Sequence, residues 1–188
     1  MGFFKPLFPV FALCCLTACA SAPDRYVIPA TQATERQRIA FRSVEIREIS
    51  LPAYAASDEI SSLGTDGKLT NERGVLWADT PERAVALELA RHLSGLSGAR
   101  VASAPWPLDT LPDARLELRF ESLVAGTDGQ FRAVGQYFVA VAEGGRERSG
   151  LFDLSQTFDP AGGPQAIATA RGQIILDLAR YIAVNGLR

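Results

Sequence analysis

The sequence contains few of the side chains that most often carry catalysis. It has one histidine, at position 92, and three cysteines, all within the first nineteen residues. A metal site needs several histidine, cysteine or carboxylate ligands, and a hydrolase triad needs a histidine beside its nucleophile. Residues 95–99 approach the nucleophile-elbow pattern but lack its final glycine and fall at the end of a predicted helix. We therefore predict no catalytic residue and no metal ligand, and we interpret His92 as a structural residue.

The chain also lacks a glycine-rich loop followed by Lys-Ser/Thr and lacks a dinucleotide fingerprint, so no cofactor is predicted. Basic and acidic residues number 19 and 21, which gives a formal net charge of −2. Nucleic-acid binding requires a basic face that neutralises phosphates, and this composition has no surplus of positive charge. We therefore expect a non-enzymatic protein that does not bind nucleic acid.

No apolar run is long enough to cross a bilayer, which takes about 20 residues. The main candidate, 7–16, follows Lys5 and precedes small residues, which is the order of a secretory signal. We interpret residues 1–18 as a signal peptide that is removed.

The end of this signal resembles the lipobox of bacterial lipoproteins, with Leu16, Thr17, Ala18 and Cys19. In such proteins the cysteine sulfur receives a diacylglycerol, cleavage follows before the cysteine, and its new amine takes a fatty acyl chain such as palmitate. The alternative is an ordinary signal peptide with a chance cysteine. Ala20 is typical of outer-membrane lipoproteins under the enteric sorting rule. Because Cys14 and Cys15 leave with the signal, the mature chain would keep no free thiol for a disulfide.

The mature chain divides into a polar segment and a domain. Residues 19–38 are polar and contain prolines, and we interpret them as a lipidated tether; residues 39–188 form the predicted periplasmic domain. Alternating apolar and polar side chains predict strands within that domain. They comprise 44–51 with a bulge near Arg47, a hairpin over 58–71, a short strand at 100–103, and a meander with turns at 126–129 and 144–145.

Two amphipathic helices complete the prediction. The first begins with Thr80 as a cap and Pro81 in the first turn, and ends near Gly98. The second runs over 165–184. Each helix must bury its apolar stripe, so we expect an α+β two-layer sandwich: a mainly antiparallel sheet with both helices on one face.

Three aromatic residues are candidate partner-binding residues: Trp106, Tyr54 and Trp77. Trp106 lies between two prolines in a predicted loop, where exposure would suit recognition, because tryptophan dominates binding hot spots. Trp77 precedes the first helix, and packing beneath that helix is its simpler interpretation.

An ordered series of short motifs resembles the ABC-type transport auxiliary lipoprotein family, the group containing the paraquat-inducible C lipoprotein. The motifs are the lipobox at Cys19, then 26–28 (Tyr-Val-Ile), 51–54 (Leu-Pro-Ala-Tyr), 77–81 (Trp-Ala-Asp-Thr-Pro) and a late helix with 178–179 and 182–183. Residues 55–59 depart from the family pattern, in which a basic residue and a more apolar strand are expected.

The resemblance implies an accessory role in envelope lipid transport. The partners would be a periplasmic protein with mammalian-cell-entry domains and its ABC permease and ATPase, with the acyl chains holding the protein on the outer membrane. An alternative is an outer-membrane assembly or structural lipoprotein, such as a barrel plug or chaperone. Direct phospholipid binding and a homo-oligomer are further interpretations.

Overall fold

The structure is a computed structural model that describes residues 22–145 and 147–188. The predicted signal peptide, the lipobox and Cys19 lie outside the described residues. The strands are β1 Asp24–Tyr26, β2 Ser43–Ser50, β3 Glu59–Leu63, β4 Leu69–Trp77, β5 Arg100–Ser103, β6 Ala114–Gly126, β7 Gln130–Val141 and β8 Arg148–Thr157. The helices are α1 Ala53–Ala56, α2 Pro81–Ser97 and α3 Gly163–Asn185, with 3-10 turns at Ala142–Gly144 and Pro160–Gly162.

The long strand β6 organises a single eight-stranded sheet. On one side it pairs with β7, which pairs with β8, and both pairings are antiparallel. On its other side it pairs in parallel with β2 along its first part and with β3 at its end. Beyond these, β5 pairs with β2, while β4 and then β1 follow β3. The β6–β7–β8 meander contains more than half of the paired residues, which confirms the prediction of a mainly antiparallel sheet.

Both long helices lie on one face of the sheet, as predicted, and contact each other. The core between the layers includes Val85 and Leu93 of α2, Ile174 and Leu178 of α3, and Leu116 of β6, all with no exposed surface. Alternate side chains of β6 point to the opposite face, where Arg119 is exposed. Fold class and layer order are therefore those expected from the periodicity.

The local predictions mostly hold. The bulge of β2 falls between Ile46 and Glu48, and α2 ends at Gly98, whose left-handed φ of 73° suits glycine. Thr80 occupies the N-cap position and Pro81 the first turn, as predicted, but the Thr80 side chain makes no capping hydrogen bond. Instead Asp79 accepts a hydrogen bond from the backbone N–H of Thr80 at 2.9 Å.

The described part of the predicted tether lies on the domain. Asp24–Tyr26 adds a parallel strand to β4, and the backbone N–H of Gln37 donates to the carbonyl of Leu96 at 2.8 Å. Glu35 forms an ion pair with Arg180 of α3 at 2.7 Å. Ile39 packs against the core. The chain is thus attached to the folded layers from Asp24 onwards.

Candidate functional site

The three candidate partner-binding residues lie in two places. Trp77, at the end of β4, is 7% exposed. Tyr54 of α1 lines a small cavity together with Trp77 and Arg171. Trp106 lies elsewhere, in the loop 104–112 that joins β5 to β6. The structure therefore brings Tyr54 and Trp77 to one site and leaves Trp106 at another.

Arg171 of α3 is the centre of the Trp77 site. Its side chain is 2% exposed, and its guanidinium lies over the Trp77 ring, 4.6 Å from the centroid. Its Nη2 donates to the carbonyl of Pro81 at 3.2 Å, which links α3 to the first turn of α2. Its Nε has no hydrogen-bond partner among the described residues. Burial lowers the pKa of Arg171, an effect that the nearby carboxylate of Glu88 opposes.

Glu88 of α2 is the other buried charged group of this site. It is 7% exposed, and its Oε2 has no hydrogen-bond partner among the described residues. Burial raises the pKa of Glu88, while the charges of Arg171 and Arg91 act in the opposite direction. Burial dominates because a carboxylate loses hydration there without a direct ion pair to replace it.

Trp77, Glu88 and Arg171 line a second cavity, different from the one that Tyr54 lines, and we call it the Arg171 cavity. Its volume is about 170 Å³, and its lining includes Tyr26, Trp77, Glu88, Arg91 and Arg171. Unpaired buried polar atoms in such a space are commonly joined by water. Strand β1 closes one side of it through Tyr26, so the N-terminal segment is part of its wall.

The sequence did carry a signal for this site. Arg171 follows Ile167 by four residues and precedes Ile174 by three, so helical periodicity places a charge within the apolar face of α3. Glu88 likewise falls between Val85 and Leu89. The apolar residues of the two stripes do not by themselves indicate that Arg171 and Glu88 are buried among them.

His92 lies one turn beyond Glu88 and is 2% exposed, so the structure confirms that it is a packed residue. Its Nε2 has no partner among the described residues. Burial lowers the pKa of His92 to about 4, with smaller contributions from Arg91 and Arg180. Imidazole is therefore neutral at physiological pH.

Trp106 is half-buried in its loop, where the indole N–H donates to the carbonyl of Thr110 at 2.7 Å. Two apolar side chains of the same loop are exposed, Leu108 at 43% and Leu111 at 74%. The loop therefore presents an ordered apolar projection at the β5 edge of the sheet.

The sheet face opposite the helices is polar, as the alternation of apolar and polar side chains along β6 indicated. Arg119 donates to Glu117 at 2.8 Å and lies over Phe138 at 5.0 Å from its centroid. Arg115 pairs with Glu45 at 3.1 Å. In these two pairs, an arginine on β6 is neutralised by a neighbouring glutamate.

Within 22–145 and 147–188, no group of three or more histidine, cysteine or acidic residues is placed to hold a metal ion. In the same part of the chain, no helix has the length and apolar character needed to cross a membrane.

Comparisons with known proteins identify a family and a fold. The model of the ABC-type transport auxiliary lipoprotein component matches residues 26–183. No curated protein matches the chain. A crystal structure of an uncharacterized protein is 20% identical, with 81% of this chain and 97% of that chain covered and a TM-score of 0.61.

A second crystal structure is that of a DUF330-family protein from Xanthomonas campestris. It is 18% identical, covers 87% of this chain and 94% of that chain, and has a TM-score of 0.61. At these identities the two structures establish a shared fold.

Proposed function

Because the chain belongs to the family of ABC-type transport auxiliary lipoprotein components, we propose that it is the docking subunit of an envelope lipid transport system. Its partners are a periplasmic protein with mammalian-cell-entry domains and the ABC permease and ATPase behind it. Acyl chains on Cys19 hold it on the outer membrane, facing the periplasm. The observation that carries the proposal is the family match over almost the whole domain.

The Arg171 cavity is too small to carry a lipid, although open surface grooves of about 500 and 590 Å³ occur elsewhere on the domain. Pockets that enclose drug-sized ligands measure about 300–1,000 Å³, whereas this cavity measures about 170 Å³ and contains charged side chains. A two-chain phospholipid does not fit inside it. Phospholipid bound elsewhere on the surface is tested by mass spectrometry of the unacylated domain under non-denaturing conditions.

The partner is tested by affinity capture from detergent-solubilised membranes. The acylated chain should recover a protein with mammalian-cell-entry domains, and Trp106→Ala should weaken that recovery because it removes the ordered apolar projection of the loop. Leu69→Ala is a matched control, since this leucine is 37% exposed on β4, away from the loop. Recovery of a barrel protein instead would support the alternative of an outer-membrane assembly or structural lipoprotein.

The anchor is tested at Cys19. The Cys19→Ala variant should lack acyl mass and leave the outer-membrane fraction, whereas Cys15→Ala, within the predicted signal, should be processed normally. Normal outer-membrane fractionation of Cys19→Ala would contradict the anchor. We further propose that the protein has no catalytic activity, which turnover of any substrate by the purified chain would refute.

A homo-oligomer is a further part of the proposal. Among residues 22–145 and 147–188, β8 pairs with β7 alone, so its outer edge offers backbone groups to another strand, apart from the Leu151 carbonyl, which accepts from Tyr181. Native mass spectrometry of the acylated protein measures the copy number directly, and a monomer at all concentrations would reject it.

A further inference from the structure

The direction of β1 relates the anchor to one end of the domain. Asp24 pairs with Val75 and Tyr26 with Trp77, so β1 runs parallel to β4 and away from the β3–β4 turn. Pro23 lies beside Gly74, one residue closer to that turn. The described residues that precede Asp24, 22 and 23, therefore lie on the side of the β3–β4 turn.

Three turns are joined at this end of the sheet. The backbone N–H of Thr127, in the β6–β7 turn, donates to the carbonyl of Leu63 at 2.9 Å. The N–H of Phe158, at the β8–α3 connection, donates to the carbonyl of Gly129 at 2.9 Å. We call the turns 64–67, 126–129 and 158–162 together the turn end.

The opposite end, which we call the far end, contains Asp113, Ala142 and Leu187. The N–H of Ala142 donates to the carbonyl of Asp113 at 2.9 Å, and the carbonyl of Leu187 accepts from Ala40 at 2.7 Å. Strand β6 connects the two ends with 13 residues, so they are about 40 Å apart at roughly 3.3 Å per residue.

Few residues separate the proposed anchor from β1. Five residue steps separate Cys19 from Asp24, and an extended chain spans at most about 3.6 Å per residue, or about 18 Å. Arg25 pairs with Leu76, which pairs with Glu59, four residues before Leu63 at the turn end. Asp24 therefore lies about 13 Å or less from the turn end and at least about 27 Å from the far end at roughly 3.3 Å per residue, which exceeds the span of the five steps. An anchored Cys19 therefore cannot reach the far end of the molecule.

We infer that the domain stands on the lipid bilayer with its turn end against the headgroups and its far end directed away from the membrane. This orientation rests on the proposed acylation of Cys19. It leaves the far end and the loop 104–112, which leads into Asp113, accessible to a periplasmic partner.

The three turns 64–67, 126–129 and 158–162 contain no basic residue that could attract anionic lipid, so we assign the orientation to the short link between Cys19 and Asp24. The aspartates of these turns are used locally: Asp66 accepts from the N–H of Lys68 at 3.1 Å, and Asp159 accepts from that of Ala161 at 2.9 Å. Asp128 pairs with Arg132. Without the acyl chains, the domain should not bind vesicles of phosphatidylethanolamine and phosphatidylglycerol.

Energy transfer to labelled lipid tests the orientation. A single thiol is introduced as Thr65→Cys at the turn end or Arg188→Cys at the far end; both positions are exposed, and Cys19 is blocked as a thioether. The acylated full chain carries a donor dye in vesicles that contain acceptor-headgroup lipid. Transfer from position 65 should exceed that from position 188 by at least about twofold, given the roughly 40 Å between the ends.

A linker insertion tests whether the short link between Cys19 and Asp24 causes the orientation. Twenty Gly/Ser residues between Ser21 and Ala22 add a flexible chain of about 25 Å root-mean-square length and should bring the two transfer efficiencies together. Equal transfer in the parent, greater transfer from position 188, or an unchanged difference after insertion would overturn the inference. Absence of acyl mass is measured separately and would remove the proposed anchor as well.

Discussion

The guanidinium of Arg171 and the indole ring of Trp77 are stacked at 4.6 Å, inside the contact between α3 and the end of β4. The pair joins two segments that are 94 residues apart in the sequence. A buried arginine over an aromatic face is partly compensated for lost hydration, so Trp77 supports both packing and the buried charge.

Replacing Trp77 should therefore destabilise the fold strongly. Trp77→Ala removes a side chain that is 7% exposed and should lower the free energy of unfolding by about 3–5 kcal/mol. Trp106→Ala is the matched control and should change it by less than about 1 kcal/mol, because the residue lies in a surface loop. Urea unfolding of both variants measures the contrast. Equal losses of unfolding free energy in the two variants would show that burial of Trp77 stabilises the fold no more than a loop side chain does.

Glu88 should make stability depend on pH in a predictable direction. Its pKa is raised in the folded state, chiefly by burial, so its contribution favours folding below the unfolded pKa and is lost as the pH rises through the folded pKa. Glu88→Gln should therefore gain stability relative to the parent at pH 7, and the gain should vanish in acid. Urea midpoints across pH 3.5–8 measure it; a loss at pH 7 would mean that attraction to Arg171 outweighs burial.

His92 should make stability depend on pH in the direction opposite to Glu88. Its pKa is lowered to about 4 in the folded state, so the parent should lose stability as the pH falls from about 6.5 to 4. The loss should be on the order of 1–3 kcal/mol, because each pKa unit corresponds to about 1.4 kcal/mol. His92→Leu should remove this dependence, and Arg91→Gln should move the transition to higher pH. An unchanged profile in His92→Leu would assign the acid sensitivity elsewhere.

Two helical glycines should respond differently to alanine. Gly95 of α2 is exposed with no neighbour in the way, so Gly95→Ala should stabilise the fold by about 0.5–1 kcal/mol through helix propensity. A methyl at Gly172 of α3 would lie 2.9 Å from Ile28 and 3.2 Å from the carbonyl of Pro29. Gly172→Ala should therefore not show the stabilisation expected for Gly95→Ala. Because the methyl displaces the N-terminal segment, amide hydrogen exchange at residues 26–31 should become faster. Equal stabilisation by the two alanine substitutions would show that the N-terminal segment moves away from α3 at little energetic cost.

The sequence by itself determined the elements and their layers. The alternation of β6 and β7 and the stripes of α2 and α3 follow from the need to bury one face of each element, and short turns made the meander antiparallel. It also indicated that His92 packs, since the residue flanks the stripe of α2.

Only the tertiary structure decided the pairing of distant segments. Contacts between residues far apart in sequence place β2 and β3 beside β6 and β1 beside β4. They also bring Tyr54, Trp77 and Arg171 to the lining of one small cavity. Local periodicity shows which face of an element is apolar but not which element covers it. The orientation of the chain at Asp24 relative to the three turns, and with it the inferred position on the membrane, is such a long-range property.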